Sequence, residues 1–137
     1  MKAHALLLMA LLAPMNAGAD EATNSYYEPA AFFRIQILPI LQKRCFECHS
    51  KEHEIEGGLA LDSKTGWMTG GDHGPAVTPN NLKKSPLIQA IRHHNSDSAM
   101  PPEEKLPPIE IALLETWVLL GAPDPRTDNP ASKTGPK

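Results

Sequence analysis

Cysteine is scarce in this 137-residue chain: Cys45 and Cys48 are the only two. A fold stapled by several disulfides is therefore excluded. Aromatics are few as well, with three Phe, two Trp and two Tyr, so the core must be thin. There is no basic excess. The formal charge is −3, which argues against a nucleic-acid partner, since that needs a positive footprint. No apolar run approaches the ~20 residues of a membrane span. There is no second C-x-x-C and no H-x-x-x-H to complete a zinc site. No convincing strand supplies the βαβ setting of a thioredoxin-like dithiol. Ser–His–Asp order, paired pocket carboxylates and a Gly-rich phosphate loop are also missing, so no catalytic constellation stands out.

The chain is rich in proline, with 14 residues, and in turn signals. It opens with Lys2, an apolar run over residues 5–13, and a small-residue end at Ala17-Gly18-Ala19. This pattern is that of a secretory signal peptide, 1–19, cleaved after Ala19. The mature chain carries 12 basic against 16 acidic residues, a formal charge of −4. Residues 20–29 read as a flexible leader, 30–126 as one domain, and 127–137 as a disordered tail, the polar Pro-containing character setting in near residue 124.

Three to five helices are expected in an all-α domain with long loops. Pro39 interrupts the apolar stretch 30–41, and Pro is tolerated only in a first turn. A helix is therefore expected to start at Pro39 and run into Cys45, after a separate segment. Residues 50–82 are irregular and hold Gly57-Gly58, Gly66, Gly70-Gly71 and Gly74-Pro75, with a short helix near 63–69 capped by Asp62-Ser63. Ser85 reads as the N-cap and Pro86 as the first residue of a helix reaching His93. The last helix covers 108–120. Its expected buried stripe is Ile109, Leu113, Thr116-Trp117 and Leu120, with Glu110 at the positive end, Gly121 as C-cap glycine and Pro123 beyond.

The chemistry sits at Cys45-Phe46-Glu47-Cys48-His49. Haem c is held by two thioethers formed when thiols add across the two vinyl groups. Their fixed separation suits two cysteines on one turn, and the next residue then presents its imidazole to iron. C-x-x-C-H therefore reads as attachment of one covalent haem c at Cys45 and Cys48 with His49 as axial ligand. Attachment outside the cytoplasm agrees with the signal peptide.

A sixth ligand is expected if the task is electron transfer. The candidates are Met100 and the histidines at 53, 73, 93 and 94. Met100 is favoured: it lies in a Met100-Pro101-Pro102 loop just before the last helix. Pro101 biases it toward extended backbone, and a thioether on iron raises the reduction potential. His93 or His94 would instead give a bis-His haem. His73, in a Gly-rich turn, reads as a surface or supporting residue.

Further blocks give a resemblance. Leu38-Pro39-Ile40-Leu41 precedes the C-x-x-C-H motif. After it come Gly57-Gly58-Leu59-Ala60-Leu61-Asp62, Gly70-Gly71-Asp72-His73-Gly74-Pro75-Ala76, Ser85-Pro86-Leu87-Ile88, Met100-Pro101-Pro102, and Trp117 leading to Gly121-Ala122-Pro123. Over residues 38–126 the chain resembles class I cytochromes c, and more closely the planctomycete-type cytochrome c domain. The resemblance implies a small all-α cytochrome c-like fold of three to five helices around one haem, with His49 and Met100 as iron ligands. The expected function is single-electron transfer in the periplasm or an equivalent exported compartment, with redox proteins as partners rather than as an enzyme in its own right. The alternatives are a haem peroxidase or gas-ligand sensor with a labile sixth ligand, and an exported thiol–disulfide oxidoreductase. Trp117 and Leu41 are expected to pack the last helix on the first; Trp67 and Arg92 are candidates for contacting haem propionates.

Overall fold

The computed structural model describes residues 28–127. The expected signal peptide, most of the leader and the tail from 128 onward lie outside the described residues. Glu28 starts the fold: its carboxylate accepts from the backbone N–H groups of Ala30 at 3.0 Å and Ala31 at 2.7 Å. Pro29 follows at the first helical position, where its missing N–H costs nothing. Helix α1, Pro29–Phe32, passes through a π turn, Phe33–Ile37, into α2, Leu38–Arg44.

The expected break before Pro39 is therefore absent. The helical run is continuous, and the accommodation lies in the π turn, where Leu38 N–H bonds to the Phe33 carbonyl five residues back. The wider turn relieves the clash that a proline ring makes with the carbonyl four residues before it. It also sets which apolar residues face inward: Phe33, Ile37, Ile40 and Leu41 are buried, whereas Ile35 is 66% exposed.

Three further helices complete the domain: α3, Lys64–Thr69; α4, Pro86–Ile91; and α5, Pro108–Leu119. Short 3₁₀ turns occupy Glu56–Gly58 and Ser96–Ser98. Among the described residues there is no strand, only isolated bridges between His49 and Ile55 and between Gly71 and Gly74. The fold is all-α, as expected. Ser63 caps α3 by accepting from Gly66 N–H at 3.0 Å, while Asp62 accepts from the Lys51 N–H at 2.7 Å. Ser85 stands at the N-cap position of α4 but does not cap it. Its buried hydroxyl accepts from Thr78 N–H at 2.9 Å and donates toward the Asn81 carbonyl at 2.7 Å, tying down the preceding loop instead. Helix α4 also stops two residues early, at Ile91, because His93 takes φ 55°.

Helix α5 ends as its sequence implies. Gly121, at φ 89°, donates to the Val118 carbonyl, and Ala122 donates to Trp117, the paired bonds of a Schellman end. Its buried face differs from the expected stripe. Leu114, Trp117 and Val118 are inside, while Ile109 and Leu120 are 66% and 60% exposed. Apolar residues surround this helix, so periodicity alone does not fix its rotation; packing on the π turn and on α4 does.

Trp117 is the centre of the core. Its ring meets Phe33 at 5.9 Å and Trp67 edge-on at 5.6 Å, and its indole N–H donates to the Pro123 carbonyl at 2.9 Å. Leu41 and Trp117 both belong to the cluster that joins the first helical run to the last. Residues 124–126 are packed rather than loose. The side chain of Asp124 is wholly buried and accepts from Trp67 Nε1 at 2.9 Å and from Arg126 Nε at 3.0 Å. Arg126 also lies 4.9 Å over the Phe33 ring and donates to the Leu61 carbonyl at 2.9 Å. The chain beyond α5 is thereby strapped across the core. No helix among the described residues is long and apolar enough to cross a membrane.

Candidate functional site

Helix α2 delivers the C-x-x-C-H motif at its end. Cys45 N–H completes the helix by donating to the Leu41 carbonyl at 2.9 Å. The next turn closes when His49 N–H donates to the Cys45 carbonyl at 2.9 Å. Ser50, buried, locks the turn by donating its hydroxyl to the Phe46 carbonyl at 2.6 Å. Two thiols and an imidazole thus share one tight turn.

The loop that follows fixes His49. Glu56 N–H donates to the Cys48 carbonyl at 3.0 Å, and Leu61 N–H to the His49 carbonyl at 2.8 Å. The Nδ1 of His49 lies 3.3 Å from the Leu59 carbonyl. A carbonyl only accepts, so Nδ1 carries the proton and Nε2 keeps its lone pair. This is the arrangement by which proteins orient a metal-binding imidazole.

Cys45, Cys48, His49 and Met100 all line a single cavity of about 340 Å³, a size suited to a cofactor. Its wall is largely apolar. Leu59, Leu61 and Ala76 come from the middle loop, and Leu87, Ala90 and Ile91 from α4; Pro101 and Pro102 close the side next to Met100. The Gly71–Gly74 turn contributes its backbone together with Asp72 and His73. Gly71 comes so close to the Gly57 carbonyl that an added Cβ would sit 2.1 Å away; the two glycine pairs are contact points of the rim as well as turns. Arg44, at the cavity edge, is held by Glu110 in a two-bond pair of 2.9 and 3.1 Å.

The thiols are free. Burial pushes the Cys45 thiol up to about 12, with the Glu110 carboxylate adding to the effect. Cys48 is also raised, by desolvation first and then by Glu56, Glu47, Glu54 and Glu103. Reactive exchange cysteines have the opposite character, a lowered value in a positive setting. Among the described residues no group of three or more His, Cys, Asp or Glu could hold a metal ion, so the zinc reading has no donor set. A covalent haem fits what is present: two free thiols one turn apart, an imidazole with its lone pair available, a soft thioether, and apolar walls.

The rival ligands are sorted by position. His53, His93 and His94 do not line the cavity, whereas His73 does, although its Gly-rich turn reads as a surface or supporting position. The Nε2 of His93 is engaged by the Met100 carbonyl at 3.2 Å. The suggested propionate contacts are not supported. Trp67 spends its N–H on Asp124, and Arg92 pairs with Glu115 at 2.7 Å; neither lines the cavity.

In a comparison with known families, the profile described as Planctomycete cytochrome C matches residues 45–104. That span begins at the first cysteine of the motif and ends just after Met100-Pro101-Pro102. No curated protein and no solved structure matches the chain.

Proposed function

We propose that this protein, whose residues 45–104 match the Planctomycete cytochrome C profile, is an exported carrier of single electrons with one haem c, bonded through Cys45 and Cys48 and ligated by His49 and Met100. The observation that carries the reading is the convergence of these four residues on one apolar cavity of about 340 Å³. When bound, the haem supplies an iron that cycles between Fe(II) and Fe(III).

The chain's own residues have three tasks. Leu59 fixes the tautomer and direction of the His49 ring through its carbonyl. The wall of Leu61, Ala76, Leu87 and Ile91 excludes water, which favours the less charged ferrous state. Met100 presents a soft thioether to the same cavity, acting in the same direction. Redox proteins in an exported compartment are the partners this reading requires.

The test is a visible spectrum and a redox titration of the exported protein, alongside Met100→Ala. The parent should show the far-red Met–iron absorption band of the oxidised state and a high-potential couple. Met100→Ala should lose the band and drop in potential. An unchanged band and couple in the variant would exclude Met100 as ligand and turn attention to His73, the other histidine on the cavity wall.

A further inference from the structure

His93 has a backbone conformation that few residues adopt and a side-chain bond that the electron-transfer reading does not use. It follows α4 directly, at φ 55°. Non-glycine residues at such φ are uncommon, and those that persist are held there by their surroundings. What holds His93 is visible. Its N–H donates to the Ala90 carbonyl at 3.1 Å, and its Nε2 lies 3.2 Å from the Met100 carbonyl. Since the carbonyl only accepts, Nε2 is the protonated nitrogen.

Met100 is gripped from the other side too. Its N–H donates to the same Ala90 carbonyl at 3.2 Å. Both polar groups of the Met100 backbone are therefore tied to the end of α4: the N–H to Ala90, the carbonyl to the imidazole of His93. The intervening stretch is a closed loop in which Asn95 caps the Ser96–Ser98 turn by accepting from Asp97 N–H at 3.0 Å. Its only buried residue is Ala99. With so little apolar burial, this loop has few contacts besides these bonds to keep it shut. The end of α4 is itself anchored, through Arg92 and Glu115 at 2.7 Å, to α5.

We propose that His93 is a positioning residue for the sixth ligand: its imidazole latches the Met100 carbonyl to α4 and so sets how readily the Met100 thioether leaves iron. The inference rests on Met100 being the ligand. It replaces the idea that His93 competes for iron with a role in keeping Met100 there. Swinging the Met100 segment away from the cavity breaks the His93 bond, so the latch opposes that route by which the thioether would leave iron. One hydrogen bond of this kind stabilises the closed loop by a factor of about 2–12.

The experiment is a titration of the oxidised, haem-loaded protein with imidazole, followed by loss of the far-red Met–iron band. Four variants are compared with the parent: His93→Gly, His93→Gln, His94→Gly and Met100→Ala. Glycine accepts the positive φ while removing the donor; glutamine restores an N–H near the position of Nε2. His93→Gly should bind imidazole about 2–12-fold more tightly than the parent, His93→Gln should recover part of the difference, and His94→Gly should match the parent. If His93→Gly matches the parent, or His93→Gln is no better than His93→Gly, the latch is refuted. Met100→Ala separates the two levels. If it abolishes the band while the His93 variants behave as the parent, only the latch falls. If it leaves the band intact, the ligand assignment and the latch fall together.

Discussion

The indole N–H of Trp67 donates at 2.9 Å to Asp124, a carboxylate whose side chain is fully buried and which also binds Arg126. This joins α3 to the segment after α5, 57 residues apart in sequence. Asp124→Ala would leave the N–H of Trp67 without its acceptor and Arg126 with only the Leu61 carbonyl. Removing one partner of a buried pair costs about 3–5 kcal/mol. Chemical denaturation should show a loss of that order, while Trp67→Phe, which removes a single donor, should cost about 1–3 kcal/mol.

The rim of the cavity makes a second, graded prediction. Gly57 has φ 58° with nothing within 4 Å of an added Cβ, whereas at Gly71 that Cβ would sit 2.1 Å from the Gly57 carbonyl. Gly57→Ala should pay only backbone strain, about 1–2 kcal/mol. Gly71→Ala must push the rim apart, an overpacking cost at or above about 3 kcal/mol. Thermal unfolding should rank Gly71→Ala below Gly57→Ala, and the yield of haem-loaded protein should fall in the same order.

A third prediction concerns charge at the attachment turn. Glu47, Glu54, Glu56 and Glu103 all act electrostatically on Cys48, and all are exposed. Small cationic oxidants should therefore exchange electrons with the protein faster than anionic ones of equal driving force. The gap should narrow as ionic strength rises and screening shortens to about 8 Å. Stopped-flow rates at low and high salt check this; equal rates for both charges would show that electrons leave elsewhere.

The site was readable because its chemistry is local. Two vinyl groups at a fixed distance would demand two cysteines on one turn, with the proposed ligand histidine directly after them, so Cys45, Cys48 and His49 stand out as candidates without any tertiary contact. The caps at Ser63 and Gly121 are local for the same reason. What escaped depends on neighbours distant in sequence. Apolar residues surround helix α5, so its contacts with the π turn and α4 decide that Leu114 and Val118 go in and Ile109 and Leu120 stay out. Pro39 looked like a start because the rule against interior proline assumes α geometry, and a π turn removes that assumption. Ser85 had the right position for a cap, but the backbone of the 78–81 loop competed for its hydroxyl. Trp67 and Arg92 stand only as candidates for propionate contacts in the sequence, because nothing near them in the chain signals that Asp124 and Glu115 claim their donors. His73 was set aside for a similar reason: nothing near it in the sequence shows that the Gly71–Gly74 turn folds against the cavity.

Covalent attachment of haem is tested most directly by the intact mass of the purified protein after acid–acetone treatment, which strips haem that is not covalently bound. That mass should equal the polypeptide plus a single haem, and the increment should be lost in a Cys45→Ala, Cys48→Ala double variant. A parent mass equal to the polypeptide alone, with Cys45 and Cys48 joined in a reducible disulfide, would contradict it.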